Sequence, residues 1–231
     1  MAIRSEWPEL GSALTNALRE ARARSPAIVD AIIASGGIEA LRRWLTQNYL
    51  RGRRIGYIAQ GTTFRFGRFI SANVARAWVD ESVRYADRWT TSLLTEVDEL
   101  GAPTRMWLEN RVRQSSEQGV WNGTDAGTNE VAVLAEAEFK VWVRAWPRDE
   151  HRDWHDQLAD NIGGIPIDDP FILPGGPNAG SRVHGPRDWD AVSDPGEHLN
   201  CGHALRFEKR VTGEDLSAAR ANRGVLYDPQ R

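Results

Sequence analysis

The histidines and the single cysteine of this chain are concentrated in residues 151–203, at spacings that suit a metal ion. His151 and His155 are four positions apart, so on a helix both side chains lie on one face about one turn apart. Cys201 and His203 are two positions apart, which on an extended segment also places both side chains on one face. Together these residues predict a tetrahedral Cys-His₃ zinc site.

Other interpretations of the same stretch stay open. His198 is a spare candidate ligand, and the two helical histidines lack the general-base Glu of an H-E-x-x-H motif, so hydrogen-bonded histidines and a buried thiol are the alternative. Asp168 and Asp169 precede Pro170, where they could supply a carboxylate to a metal or to catalysis, or form an ordinary turn. A zinc-dependent hydrolase or nuclease that uses the 151–203 cluster is therefore one functional hypothesis.

Composition limits where the protein is made. One cysteine excludes an internal disulfide and fits a reducing compartment. No stretch reaches the roughly 18 apolar residues that a membrane span needs. The N-terminus MAIRSEWPEL lacks the hydrophobic run of a signal peptide. We therefore expect synthesis in the cytosol and no membrane partner.

Charge is distributed unevenly along the chain. Residues 1–70 carry eleven Arg against five acidic residues, whereas residues 71–231 carry eighteen basic against twenty-seven acidic ones. The basic front predicts contact with nucleic acid or with an acidic protein surface, and a solvated Arg-rich helix face is the alternative. Aromatic and Arg residues alternate in residues 57–68, which is typical of a nucleic-acid-binding stretch or of apolar anchors for the next helix. An isolated nucleic-acid-binding module is thus another hypothesis.

Apolar spacing predicts helices over most of the first 137 residues. The predicted helices are 5–24, 27–34, 38–54, 69–100, 104–118 and 129–137. Pro26 is expected to begin the second helix, and Gly36-Gly37 to end it. The segment 52–67 and the run NGTDAGTNE at 122–130 are expected to be breaks, because both contain glycines.

The pattern changes near Lys140. A strand is predicted over 140–146, a short helix over 151–160, a strand over 203–211 and a last helix over 214–221. Gly and Pro are frequent from Gly163 to Gly196, so regular structure there should be short, and residues 172–197 should form a long loop. The predicted class is α+β: a mainly helical part, residues 1–137, followed by a small α+β domain with this Gly/Pro-rich loop, residues 138–231.

Several features of the second part occur in a familiar order. An apolar strand KVWVRAW is followed by R-x-x-H, a short helix, the box IPIDDPF, a Gly/Pro loop and the segment NCGH. The residues of this pattern are Arg152, His155, Asp168, Asp169, Pro170, Phe171, Asn200 and Cys201. Their order resembles the phage Mu F-like head morphogenesis family, the minor capsid proteins. The chain departs from that family at His203, where a second cysteine is common, and at 158–161, where Leu-Asp-Gly is usual.

The resemblance implies a protein of the virion, in the capsid interior or neck, that is assembled in the host cytoplasm. It implies association with the portal and other head proteins, and action in head assembly, DNA packaging or DNA ejection. It implies no catalysis. The basic N-terminal helices are then the segment expected to face the portal or the DNA near it.

Overall fold

A computed structural model describes residues 7–35, 38–65, 70–145, 153–194 and 201–230. Six helices lie within these residues, about 63% of the chain is helical, and a small antiparallel sheet lies in the C-terminal part. The predicted α+β class is confirmed at this level. None of the described helices is both long and apolar enough to cross a membrane.

The helices α1 to α6 are Pro8–Ser35, Glu39–Thr63, Ala72–Leu100, Arg105–Leu134, Asp153–Asn161 and Gly213–Ala221. The predicted helix 69–100 is confirmed from Ala72 onward, where Ser71 caps the first turn by accepting from the Val74 amide at 3.3 Å. Gly101 ends it with φ +73°, a conformation that glycine adopts without strain. The last predicted helix is confirmed as α6, which begins with a capping box between Thr212 and Asp215.

Helix α1 continues through Pro26, so the predicted division into two helices is wrong. A proline inside a helix removes one backbone hydrogen bond, which costs about 3 kcal/mol. Burial on both sides of Pro26 offsets this, because Leu18 and Val29 are 3% and 0% exposed and each buried aliphatic side chain contributes about 1.5–3 kcal/mol. The predicted end before Gly36 is confirmed, since α1 ends at Ser35.

The glycine-rich breaks predicted at 52–67 and 122–130 are also wrong, because α2 and α4 run through them to Thr63 and Leu134. The glycines lie where the backbones of the two helices touch. A Cβ on Gly52 would overlap the carbonyl oxygen of Val120, and one on Gly123 would overlap that of Tyr49. Glycine usually weakens a helix by about 1 kcal/mol relative to alanine, but here it allows a helix contact that no other residue permits.

The strands β1 to β5 are Phe139–Arg144, Gly164–Pro166, Phe171–Ile172, Arg182–Val183 and His203–Glu208. One antiparallel sheet has the order β2-β1-β5, and β3 pairs with β4 in a second. The two predicted strands are thus present as β1 and β5. In their register Trp142 lies opposite Leu205, and Arg144 lies opposite His203. Directly opposed residues share a face, so these four side chains lie on the same side of the sheet.

The chain divides into two compact units. One, here called the helical unit, comprises Ala13–Ile58 and Gly67–Gly127; the other, here called the C-terminal unit, comprises Met1–Ser12, Ala59–Phe66 and Thr128–Arg231. The boundary predicted between residues 137 and 138 falls inside the second of these. Helix α2 contributes Gln60 to the C-terminal unit, where its amide donates to the Phe207 carbonyl and accepts from the Phe207 amide.

Each unit has its own apolar core. In the helical unit the core includes Leu41, Leu45, Tyr85 and Val112. In the C-terminal unit it surrounds Trp142, whose ring meets that of Phe171 edge-on with centroids 5.1 Å apart. The short strands between residues 162 and 194 have only two or three residues each, in agreement with the Gly/Pro content of that stretch.

Candidate functional site

Three of the four predicted metal ligands come together in the C-terminal unit. His155 lies on α5, Cys201 precedes β5, and His203 is the first residue of β5. One donor atom from each lies within 4.8 Å of the others. The His155 Nδ1 atom is 3.2 Å from the Cys201 Sγ atom, which is 3.8 Å from the His203 Nδ1 atom. These three residues are called the Cys-His cluster below.

The other predicted ligands and motif residues are placed differently. His151, Arg152, His198 and Asn200 lie outside the described residues. His184 is exposed and does not belong to the Cys-His cluster, since its Nδ1 atom lies 3.5 Å from the Nζ atom of a buried lysine instead.

Local structure directs each member of the cluster inward. On α5, His155 shares the buried face with Leu158 and Ala159, which follow at helical spacing. On the strand side, the Ala145 amide donates to the Gly202 carbonyl at 2.9 Å, which extends the β1–β5 pairing toward Cys201. The cluster is therefore formed by a helix face and a strand end that are distant in sequence.

A carboxylate orients one of the histidines. The His203 Nε2 atom is 3.1 Å from the Asp156 Oδ1 atom, which also accepts from the Arg144 Nε atom at 2.5 Å. An ionised carboxylate can only accept, so Nε2 must carry the proton, and Nδ1 keeps a lone pair on the side of Cys201. Arg144 also donates to Asp160 at 2.6 Å.

The sequence stage did not find Asp156 and Arg144. A signal for them exists: Asp156 and Asp160 are four residues apart on α5, and Arg144 alternates with Trp142 on one face of β1. The pairing expected for Asp160 was with Arg152, whereas its partner in the structure is Arg144.

Electrostatics agree with this arrangement. Burial lowers the pKa of His203, against the opposing effect of Asp156, so the imidazole is neutral near neutral pH. Partial burial would raise the pKa of Asp156, but hydrogen bonds from His203 and Arg144 lower it below its usual range. Hydrogen bonding to Asp160 and Asp156 raises the pKa of Arg144. A neutral imidazole with an oriented lone pair is the form that binds metals.

Aromatic packing and burial isolate the cluster from water. The Trp142 ring lies 5.1 Å from the His155 ring and 6.2 Å from the His203 ring. The exposed fractions of His155, Cys201 and His203 are 1%, 1% and 0%. A thiol beside an imidazole can act as a nucleophile, but a substrate must reach the sulfur, and here the sulfur is buried. The geometry suits a structural centre better than a reactive one.

The box around Pro170 anchors the C-terminal residues. Asp169 is 2% exposed; its carboxylate accepts from the Tyr227 hydroxyl at 2.5 Å and from the Gln230 amide at 3.0 Å. Pro170 accepts from the Asp228 amide at 3.1 Å. Asp168 is exposed. Thus Asp169 supports the turn-and-anchor interpretation, and Phe171 belongs to the core below Trp142.

A buried lysine was not anticipated from the sequence. Lys140 is 2% exposed on β1; its Nζ atom donates to the His184 carbonyl at 3.0 Å and lies 5.2 Å from the centre of the Phe171 ring. Burial lowers its pKa to about 8, although Asp169, Asp188 and Asp168 oppose that shift. Buried lysines are rare without a charged partner.

Many arginines of the basic front pair with acidic side chains inside the helical unit. The pairs include Arg22–Glu117, Arg24–Glu20, Arg42–Glu39, Arg51–Glu20 and Arg53–Glu81. An arginine that already faces a carboxylate offers less positive potential to a phosphate. This observation favours the solvated-helix interpretation of the basic front over a nucleic-acid-binding module.

Comparisons with known proteins give no further assignment. No family model, no curated protein and no solved structure matches this chain.

Proposed function

We propose that the protein is a minor structural protein of a phage head, associated with the portal, that acts in head assembly, DNA packaging or DNA ejection. The observation that carries the proposal is the packing of the Mu F-like pattern in one unit. Trp142 of the strand contacts His155 of the helix and Phe171 of the box, and His155 contacts Cys201. Residues that are distant in sequence thus share one buried centre, as parts of a single motif would.

The burial of this centre supports an assembly role over catalysis. A catalytic zinc keeps one position open for water and substrate. A zinc-dependent hydrolase or nuclease is the second candidate, because the donor set of the Cys-His cluster is one that zinc prefers. Its weakness is that the three side chains are no more than 1% exposed.

The helical unit offers a surface for the proposed partner. Val79 and Val83 on α3 are 46% and 39% exposed and lie one turn apart. Apolar residues at such a spacing fit an apolar contact with a second protein. We assign this face of α3 to the portal, in keeping with the expected role of the helical front.

Co-purification with the portal protein of the same phage tests the proposal. The tagged full-length chain should retain the portal, and mature particles should contain the chain by mass spectrometry. A Val79→Asp/Val83→Asp variant should lose most of the retained portal. The matched control is Val225→Asp, which alters a 64% exposed valine of the C-terminal unit and should retain it. Absence of a complex together with absence from particles would refute the proposal.

Nuclease and peptidase assays test the second candidate. The full chain supplied with zinc should show no turnover of DNA or peptide substrates above the background of a His155→Ala variant. Turnover that disappears in His155→Ala but persists in His184→Ala would overturn the assembly role in favour of catalysis.

A further inference from the structure

We propose that His155, Cys201 and His203 bind a single zinc ion that acts as a structural centre of the C-terminal unit, and that Asp156 positions His203 for it. The inference concerns the isolated chain and holds whether or not the chain binds a portal. It differs from the site expected from the sequence in its ligand atoms and in the role of Asp156.

The donor separations fit one metal ion. Zinc–nitrogen and zinc–sulfur bonds of about 2.1 and 2.3 Å at a tetrahedral angle place nitrogen and sulfur about 3.6 Å apart. The Cys201 Sγ atom lies 3.2 Å from the His155 Nδ1 atom and 3.8 Å from the His203 Nδ1 atom. Both separations are within about 0.4 Å of the value for a shared zinc ion.

The chemistry of the donors selects the metal class. One thiolate and two imidazoles suit zinc, whereas magnesium and calcium prefer oxygen donors. On binding, the Cys201 thiol loses its proton to solvent and its sulfur forms the bond to zinc. The described residues provide these three donors, and no described residue is assigned to a fourth position.

The surroundings of His203 are those of a metal ligand. Metal-bound histidines usually donate their second N–H to a carboxylate, which fixes the ring and makes it a better donor. Here His203 Nε2 faces Asp156 at 3.1 Å, and Arg144 holds that carboxylate from the other side at 2.5 Å. A His203 that served only as a core residue would not require this arrangement.

Metal analysis of the full chain is the first test. The chain purified without added metal should carry about one zinc per molecule. Removal of that zinc by a chelator should lower the thermal unfolding midpoint, and one equivalent of zinc should restore it. A chain that contains no zinc and whose midpoint is unchanged by added zinc would refute the proposal.

Cobalt reports on the ligands. Substitution with Co²⁺ should give a thiolate-to-cobalt charge-transfer band in the near ultraviolet, and Cys201→Ser should abolish it. The control His184→Ala removes the histidine outside the cluster and should keep the band. Because Cys201→Ser could unfold the unit, the spectrum of the unmodified chain is decisive alone: cobalt binding without a thiolate band would overturn the assignment.

The role of Asp156 has its own matched pair. Asp156→Asn should weaken zinc binding about 10- to 100-fold, measured by competition with a chromophoric chelator. Asp160→Asn removes a carboxylate that contacts the same Arg144 but has no recorded contact with His203, and it should leave zinc affinity unchanged. Equal losses in the two variants would show that Asp156 acts only through general stability.

Discussion

The two units satisfy their buried polar groups in different ways. In the helical unit, buried hydroxyls donate within their own helix: Ser116 to the Val112 carbonyl at 2.6 Å and Thr124 to the Val120 carbonyl at 2.8 Å. In the C-terminal unit, buried ionisable groups find partners from other elements, as His155 does with Cys201 at 3.2 Å. The first kind of contact depends on local structure, whereas the second requires the complete tertiary fold.

This difference has an energetic consequence. A hydroxyl that bonds within its helix is satisfied whenever that helix forms. An imidazole, thiol or ammonium group buried between elements loses its partners as soon as one element moves, and an unpaired buried polar group costs about 1–3 kcal/mol. We therefore expect substitutions at the centre of the C-terminal unit to affect folding more than comparable ones in the helical unit.

The largest effect is expected at Trp142. Trp142→Ala removes the ring that packs against Phe171 and His155, and it should lower the free energy of unfolding by about 3–5 kcal/mol. Urea denaturation followed by circular dichroism measures this. Trp107→Ala, in the partly buried edge of the helical core, is the control and should cost less. An equal or larger loss at Trp107 would contradict the expected difference between the units.

The next effect is a pH dependence at Lys140. Its folded-state pKa is lowered from 10.5 to about 8, so burial of the charged amine costs up to about 3 kcal/mol. Below pH 8 the amine is protonated in both states and the full cost is present. As the pH rises through 10.5 the amine becomes neutral in the unfolded state too, and the cost disappears.

Lys140→Met tests this directly. The variant should be more stable than the unmodified chain near neutral pH, and its advantage should shrink steadily above about pH 8. Paired urea titrations across this range give the difference in unfolding free energy, in which the titration of tyrosines common to both chains cancels. A difference that does not change with pH would show that the amine is not buried in its charged form.

A smaller effect is expected at the helix contact of the helical unit. Gly123→Ala places a methyl group against the Tyr49 carbonyl, and it should lower the free energy of unfolding by about 1–3 kcal/mol. The control is Gly213→Ala, because no atom lies within 4 Å of a Cβ at Gly213; we expect it to be neutral or slightly stabilising. Stabilisation by Gly123→Ala would mean that the backbones of α2 and α4 do not touch.

The smallest effect is expected for surface ion pairs. Glu20 faces Arg51 at 2.5 Å and Arg24 at 3.6 Å, with all three side chains more than a third exposed. Glu20→Gln should change the free energy of unfolding by about 0.5 kcal/mol or less. Thermal denaturation at low and high salt measures it. A loss comparable to that of Trp142→Ala would remove the contrast between surface charge and buried centre.

Sequence patterns predicted local features of the fold and missed those set by tertiary contact. Periodicity and caps located α3, α6, β1 and β5, because these depend on neighbouring residues. The continuity of α1, α2 and α4 was missed, since glycine and proline favour a break unless packing elsewhere in the fold overrides them. Gly52 and Gly123 show this: their value lies in the approach of another helix, which no local pattern reveals.

The candidate site was predictable only in its residue types. The spacings of His155, Cys201 and His203 indicated which side chains could share a site. Their burial, and the support that Asp156 and Arg144 give to His203, follow from the packing of α5 against β1 and β5. The same packing changes the hypothesis, because a buried donor set favours a structural role over the hydrolase that the residue types alone allowed.

The most direct test of that structural role is the reactivity of the single cysteine. Cys201 is buried and the chain has no other thiol, so labelling by a small thiol reagent reports on this site alone. We predict that the folded chain reacts only as fast as it unfolds, and that labelling increases with denaturant in step with the loss of helical signal. Labelling of the native protein at the rate of a free thiol would contradict the account, because it would make Cys201 an accessible nucleophile.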